Sequence, residues 1–201
     1  MDQNANRTTL QRIARKAMIA RGLEPDFPAA VVAELAELAN EPVNKAGTAK
    51  DMRDKIWCSV DNDDSLDLDQ LSYAEQLDGN KVRVFVAIAD VDAMVHSQSN
   101  IDQHASHNTT SVYTVAEIFP MLPEKLSTDL TSLRYNADRY AFVVEMVIGD
   151  DGAVIQSDVY SAIVKNYAKL AYNSLGSWLE GSGPIPSGIT TPGMSLILGF
   201  K

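Results

Sequence analysis

The sequence predicts an α+β fold, in which a small helical segment precedes a mixed or antiparallel sheet. Two observations support this class. Apolar residues recur at helical spacing near the amino terminus, whereas the later apolar runs are short, rich in valine and isoleucine, and separated by turn residues. The 201 residues, of which 45% are hydrophobic, suffice for one substantial domain with a small appendage.

The helices are predicted first along the chain. Residues 8–22 repeat apolar side chains at helical spacing and end at Gly22. Residues 24–42 repeat this pattern, with Pro28 near the helix start and Pro42 after its end. Together they predict a helical hairpin, and we expect its basic stripe to be solvated rather than to contact RNA or an acidic partner.

The strands follow. Residues 55–60 form a short β-prone run, and residues 81–91 read as a strand that begins after a glycine-containing turn. Residues 139–164 contain two strand-like runs around Asp151 and Gly152, which is a strong hairpin signal. Residues 166–181 are predicted to form a final helix, because their apolar residues recur at helical spacing.

The composition divides the chain into three segments. Residues 1–50 are the helical amino-terminal segment, residues 51–180 carry the strand signals, and residues 181–201 are an irregular tail rich in Gly, Pro and Ser. We expect the chain to end before this architecture is complete, because the tail ends in an apolar run with no visible partner element.

The net charge of −10 argues against unaided, nonspecific binding to nucleic acid. A phosphate ligand would need a locally basic lining or divalent cations that invert the local charge. No apolar run is long enough to span a bilayer, and the start lacks the apolar centre of a secretory signal. We therefore predict a cytoplasmic protein without membrane contact. A single cysteine, Cys58, fits a reducing compartment.

The most unusual stretch is an acidic block, residues 59–71, with five aspartates in nine consecutive positions: Asp61, Asp63, Asp64, Asp67 and Asp69. Like charges this close repel one another, and burial would raise their pKa values unless cations or donors compensate. One interpretation is a solvated acidic turn. The other is a site for hard divalent cations, since Mg²⁺ takes carboxylate oxygens together with substrate phosphates and water.

Spacing separates the possible cation sites. An EF-hand loop starting at Asp61 requires Gly and Glu where the chain has Leu66 and Ser72, so the spacing argues against calcium-loop geometry. In an extended segment Asp67 and Asp69 point to the same face, and Asp61 can return to it across the loop. Three carboxylates on one or two metals suit phosphodiester hydrolysis without a covalent intermediate.

These residues resemble the catalytic RNB domain of the ribonuclease II and ribonuclease R exoribonucleases. Four blocks carry the resemblance in family order, over about residues 53–180. They span residues 59–71, 84–95, 109–133 and 136–155. The third, with Ser-Val-Tyr followed by Phe-Pro-Met-Leu-Pro-Glu-Lys-Leu-Ser, is the most specific.

The resemblance implies 3′-to-5′ hydrolysis of single-stranded RNA to nucleoside 5′-monophosphates, with Mg²⁺ or Mn²⁺. Asp61, Asp67 and Asp69 match the first three family acids and are the expected catalytic and metal-binding residues. Gln70 completes the catalytic set where the family has a fourth aspartate; its carbonyl oxygen can ligate a metal but brings no charge. Tyr113 matches the aromatic that packs against the terminal nucleotide.

The resemblance also implies an RNB-type domain that is incomplete. The family's later half supplies RNA-channel residues, including an arginine that stabilises charge on the scissile phosphate. No residue here takes that role, and Arg134 and Arg139 are expected to fix loops. Two alternatives to an active nuclease stay open. In the first, the chain is an incomplete family member that binds RNA or metal without turnover. In the second, it is a helical module that acts through an unknown protein partner.

Other candidate residues carry weaker signals. His104 and His107 are three apart and can share one face of a short helix, but two histidines without an arranged third ligand are a poor zinc signal. Trp57 and Cys58 flank the acidic block and are expected to pack in the core.

Overall fold

The computed structural model describes residues 3–39 and 49–189, which pack as two units. The first draws on Met1–Val43 and Met94–Leu126, and the second on Asn44–Ala93 and Ser127–Lys201. The end of the predicted helical segment, residues 40–48, and the end of the predicted tail, residues 190–201, lie outside the described residues. The three sequence segments proposed above therefore stay a prediction.

The elements follow the chain in an α+β order that confirms the predicted class. They are α1 (Gln3–Ala20), α2 (Ala29–Leu38), β1 (Lys50–Asp51), β2 (Trp57–Asp61), β3 (Gln70–Gln76), β4 (Val82–Ala89), a 3₁₀ turn (Val91–Ala93), α3 (Asn100–Asn108), β5 (Val112–Tyr113), β6 (Ile118–Phe119), a π turn (Leu126–Leu130), β7 (Asp138–Ile148), β8 (Val154–Ala171) and α4 (Tyr172–Leu179).

The first unit contains α1, α2, α3 and the short β5–β6 hairpin. Met18 of α1 is buried, whereas Leu10 and Ile13 of the same helix are largely exposed, so the predicted apolar stripe is only partly covered. Ser99 caps α3, because its hydroxyl oxygen accepts from the Asp102 backbone N–H at 3.3 Å. None of the helices in the described part of the chain is long and apolar enough to cross a membrane.

The second unit is built on a mixed sheet that closes into a ring. Antiparallel pairing joins β2 to β3, β3 to β4, β4 to β7 and β7 to β8. The ring closes because β8 also pairs in parallel with β2, through its last residues, 166–171. β1 lies beside β8 as a short parallel addition. A mixed sheet was predicted, and the structure confirms it.

The predicted final helix is wrong over residues 166–171, which continue β8; the helix is only Tyr172–Leu179. In this stretch Asn166, Ala168 and Leu170 are buried in alternation, a period of two that matches a strand. Pairing with β2 therefore overrides the local helical signal.

The core fills the inside of the ring. Trp57 is 0% exposed; its ring lies 6.0 Å from that of Tyr73 and 6.3 Å from that of Phe85, centroid to centroid. Its Nε1 donates to the Met52 carbonyl oxygen at 2.8 Å, so the buried indole is satisfied. Cys58 packs in a second cluster, and burial raises the pKa of its thiol to about 11. Both residues pack in the core.

Candidate functional site

The acidic block connects β2 to β3 at one end of the ring. Asp61 is the last residue of β2, Asp69 directly precedes β3, and Gln70 begins it. Cys58 pairs with Ser72 in the antiparallel ladder, so continuing this register brings Asp69 opposite Asp61. The Asp69 carbonyl oxygen also accepts from the Ala89 backbone N–H at 2.9 Å, which ties this position to β4.

Asp61 lies in an environment that disfavours its ionised form. Its Oδ2 atom is buried and has no hydrogen-bond partner among the described residues. Burial raises the pKa of the Asp61 carboxyl most, and the nearby charges of Asp69 and Asp67 raise it further. A hydrogen bond from Ser59 and the charge of Lys169 act in the opposite direction. The three predicted acids are therefore close enough to interact electrostatically.

A network of buried hydrogen bonds holds the Asp61 side chain. The Nδ2 of Asn166, which is 1% exposed, donates to the Ser59 hydroxyl oxygen at 3.3 Å and to the Leu133 carbonyl oxygen at 2.9 Å. Ser59 in turn is hydrogen-bonded to Asp61. Buried polar groups that are satisfied in this way fix side-chain orientation.

The loop between Asp61 and Asp69 is held by residues distant in sequence. The Ser132 hydroxyl donates to the Leu66 carbonyl oxygen at 2.8 Å and accepts from the Leu68 backbone N–H at 3.2 Å. The Lys169 ammonium also donates to carbonyl oxygens of this loop. Sequence reasoning missed both residues; the only signal for Lys169 was a basic residue within an otherwise apolar strand.

The side chains of the acidic block carry the ligand atoms that a hard divalent cation prefers. The acids offer carboxylate oxygens, and the Oδ2 of Asp61 has no hydrogen-bond donor among the described residues. The Gln70 side chain is exposed. Within residues 3–39 and 49–189, no three His, Cys, Asp or Glu side chains converge closely enough to hold a metal by themselves. Mg²⁺ is usually held by one or two carboxylates plus substrate phosphates and water, so Asp61 and Asp69 suit a site that substrate completes.

Tyr113 belongs to the first unit and the acids to the second. Its side chain is 73% exposed on β5, opposite Ile118 of β6 in the hairpin. An exposed aromatic ring on a short hairpin has a free face on which a base can stack.

Arg134 and Arg139 fix loops. Arg139 donates to the backbone oxygens of Ser132 and Asp129, at 3.0 and 3.2 Å, and Arg134 donates to the Asp129 carboxylate at 2.5 Å. The Ser132 contact connects Arg139 to the residue that holds the acidic loop.

His104 and His107 lie on α3, and their side chains make hydrogen-bond contacts within the first unit. The Nδ1 of His104, a buried side chain, lies 3.0 Å from Oε2 of Glu24, and the Nε2 of His107 lies 2.7 Å from the Gly22 carbonyl oxygen. Both contacts fasten the segment after α1 to α3.

The raised pKa of Asp61 predicts a stability gain in Asp61→Asn. A carboxyl whose folded-state pKa is raised stabilises the fold at low pH, and this contribution is lost as pH rises through the folded pKa. At pH 7 without divalent cations, we expect the midpoint of thermal unfolding to rise by about 1 to 3 °C in Asp61→Asn, and the difference to vanish near pH 3. Asp63→Asn, which changes an exposed residue of the same loop, should show no rise. Circular dichroism melts between pH 3 and 8 measure this, and an equal rise in both variants would contradict it.

Comparison with known proteins agrees with this geometry. The RNB domain family matches residues 49–186. Ribonuclease R of Escherichia coli K12 is 35% identical over 156 residues, which cover 77% of this chain and 19% of that protein. Exoribonuclease 2 of Cronobacter sakazakii is 36% identical over 148 residues, covering 73% and 23%. The chain thus spans about a fifth of the length of these relatives.

Solved structures show the same fold. Mycoplasma genitalium RNase R in complex with double-stranded RNA aligns with a TM-score of 0.76 and 27% identity, covering 84% of this chain and 30% of that one. The same enzyme in complex with ribose methylated single-stranded RNA aligns with a TM-score of 0.73 and 27% identity, covering 84% and 26%. The match over most of the described sheet, together with the relatives, shows that this chain belongs to the RNB-domain family of ribonucleases.

Proposed function

We propose that this chain acts as a metal-dependent exoribonuclease, which hydrolyses single-stranded RNA from the 3′ end to nucleoside 5′-monophosphates. The family membership supports the reaction class, and the ribonuclease R structures hold RNA. The direction, the single-stranded substrate and the Mg²⁺ or Mn²⁺ requirement come from the resemblance of the acidic block to the family acids. A cytoplasmic location, likewise, stays a prediction.

The observation that carries the proposal is the buried Oδ2 of Asp61, which has no hydrogen-bond partner in the described part of the chain and lies near two further carboxylates. A protein seldom leaves a buried carboxylate oxygen without a donor unless another group satisfies it. A divalent cation would satisfy it and would offset the repulsion from Asp69 and Asp67.

The cation and the side chains of the acidic block would have different roles in hydrolysis. When bound, Mg²⁺ or Mn²⁺ supplies charge stabilisation at the phosphate and a more acidic water. Asp61, Asp67 and Asp69 would hold the cation, and Gln70, which follows Asp69 in the chain, offers an uncharged carbonyl oxygen as a further ligand. A water oxygen bonds to phosphorus, the bond to the 3′ oxygen of the penultimate nucleotide breaks, and a proton passes to that oxygen. The products are a nucleoside 5′-monophosphate and an RNA shortened by one residue.

Tyr113 is proposed to stack on a base near the RNA end. We expect Tyr113→Ala to raise the KM for a short RNA by about 5- to 100-fold, since stacking contributes about 1–3 kcal/mol per base. Tyr113→Phe keeps the ring and should retain wild-type KM. Steady-state kinetics on an RNA of fixed length measure both, and an equal rise in the two variants would assign the effect to the hydroxyl instead.

Product identity tests the function. Incubation of purified protein with single-stranded RNA and Mg²⁺ should release nucleoside 5′-monophosphates, separable from 3′-monophosphates by liquid chromatography. Products with a 3′-phosphate would reject this chemistry. RNA binding without any mononucleotide would favour the alternative, an RNB-type chain that binds RNA but does not turn it over.

A further inference from the structure

Lys169 directs its hydrogen bonds to the backbone of the acidic loop. Its Nζ donates to the carbonyl oxygen of Ser65 at 2.6 Å and to that of Asp63 at 3.1 Å. The lysine lies in β8, 104 residues along the chain from Ser65. A contact over such a separation fixes the loop against the ring of strands.

The position of Lys169 follows from the parallel pairing of β8 with β2. Lys169 pairs with Ser59, and Ala171 pairs with Asp61, so the lysine approaches the acids from the neighbouring strand. Ala168 and Leu170 on either side are each 1% exposed, and strand alternation therefore turns Lys169 away from their core cluster.

The Lys169 ammonium leaves the carboxylates of the block unpaired. Among the residues that the structure describes, none of the five aspartates forms an ion pair, because the ion pairs there all involve other acids. The ammonium instead provides a positive charge near Asp61 while bonding only to main-chain oxygens of the loop. Its charge reduces repulsion within the block without occupying a carboxylate oxygen.

The loop is held from two sides. Lys169 fixes the half of the loop that follows Asp61. Ser132 fixes the half that contains Asp67, through hydrogen bonds to Leu66 and Leu68 on either side of it. The Leu133 backbone N–H adds a 2.7 Å hydrogen bond to the Leu68 carbonyl oxygen. Two separate attachments on a seven-residue loop restrict its conformation before any cation binds.

We propose that Lys169 is a positioning residue, which holds the acidic loop in its cation-binding conformation without itself pairing with the carboxylates. This role rests on the proposed function for its consequence, cation binding, but not for the loop contacts themselves. It differs from a purely electrostatic role, because a lysine that acts only through its charge would oppose a divalent cation nearby.

The test compares Lys169→Gln with Lys165→Gln, which removes the same charge from the same strand. Lys165 lies over the Tyr167 ring, 5.9 Å from its centroid, and makes no hydrogen bond to the acidic loop. Two measurements are made, neither of which depends on nuclease activity. One is Mn²⁺ binding, followed by electron paramagnetic resonance; the other is amide hydrogen exchange over residues 62–68 in the metal-free protein.

We expect Lys169→Gln to weaken Mn²⁺ binding at least about 10-fold, the effect typical of lost outer-shell support, and to accelerate exchange in the loop. Lys165→Gln should change neither, and Lys169→Arg, which keeps charge and donors, should recover part of both. Unchanged or tighter Mn²⁺ binding in Lys169→Gln, or unchanged exchange, would overturn the role of Lys169. Wild-type protein that binds no Mn²⁺ would instead contradict the proposed function, and the exchange data would then decide the role of Lys169 in fixing the loop.

Discussion

Asp69→Asn is expected to lower the rate of RNA hydrolysis at least 100-fold without destabilising the fold. Asp69 lies at the entry to β3, its side chain is exposed, and its charge acts on the buried carboxylate of Asp61. Asparagine keeps the shape of the side chain but removes the charge that would hold the cation. The loss should exceed the roughly 10- to 100-fold effect typical of residues that only support metal ligands.

A matched control separates this effect from general loss of charge. Asp63→Asn removes the same charge from an exposed side chain of the same loop, whose backbone carbonyl is the part that Lys169 holds. It should retain activity within about 3-fold, a change of less than 1 kcal/mol. The rates are measured under single-turnover conditions, with thermal melts of each variant alongside. Equal losses in the two variants would show that the net charge of the loop, and not Asp69, matters.

Trp57→Ala is expected to cost about 3–5 kcal/mol of unfolding free energy, the range for large-to-small changes at buried aromatic residues. Trp57 is fully buried, contacts the rings of Tyr73 and Phe85, and satisfies the Met52 carbonyl through its indole nitrogen. Alanine would leave a cavity inside the ring of strands. The midpoint of thermal unfolding should fall by roughly 10 °C or more.

Tyr135→Ala is the control for this change, because it also removes an aromatic ring, but one whose side chain is 65% exposed. Its midpoint should stay within about 2 °C of wild type. Differential scanning calorimetry measures both variants. A similar fall of the unfolding midpoint in both variants would mean that the core inside the ring of strands does not determine the stability.

Local patterns predicted β2, β4, β7 and β8, because these strands carry their own apolar signals, but they did not predict β1, β3, β5 or β6. Residues 81–91 contain β4 and the turn around Asp151 joins β7 to β8, as their sequences indicate. The failure at residues 166–171 has a non-local cause: β8 is 18 residues long and pairs with two different strands. No pattern within the segment reveals that its last residues will meet β2.

The candidate site divides in the same way. The acidic block was visible in the sequence because its charge is unusual and its spacing suits one face. Its supports were invisible, since Lys169, Asn166 and Ser132 are ordinary residues that lie far along the chain from the groups they hold. Tyr113 was predicted from the family resemblance alone, because nothing in the composition distinguishes an exposed stacking residue from a buried one.

The most direct test of the central claim is a Mg²⁺ and Mn²⁺ titration of the digestion of 5′-labelled single-stranded RNA, resolved by length, with wild-type protein and Asp69→Asn in parallel. The account predicts a ladder that shortens from the 3′ end as cation is added, and its absence in the variant. A ladder that persists in Asp69→Asn or in the presence of EDTA would contradict metal-dependent catalysis by the acidic block.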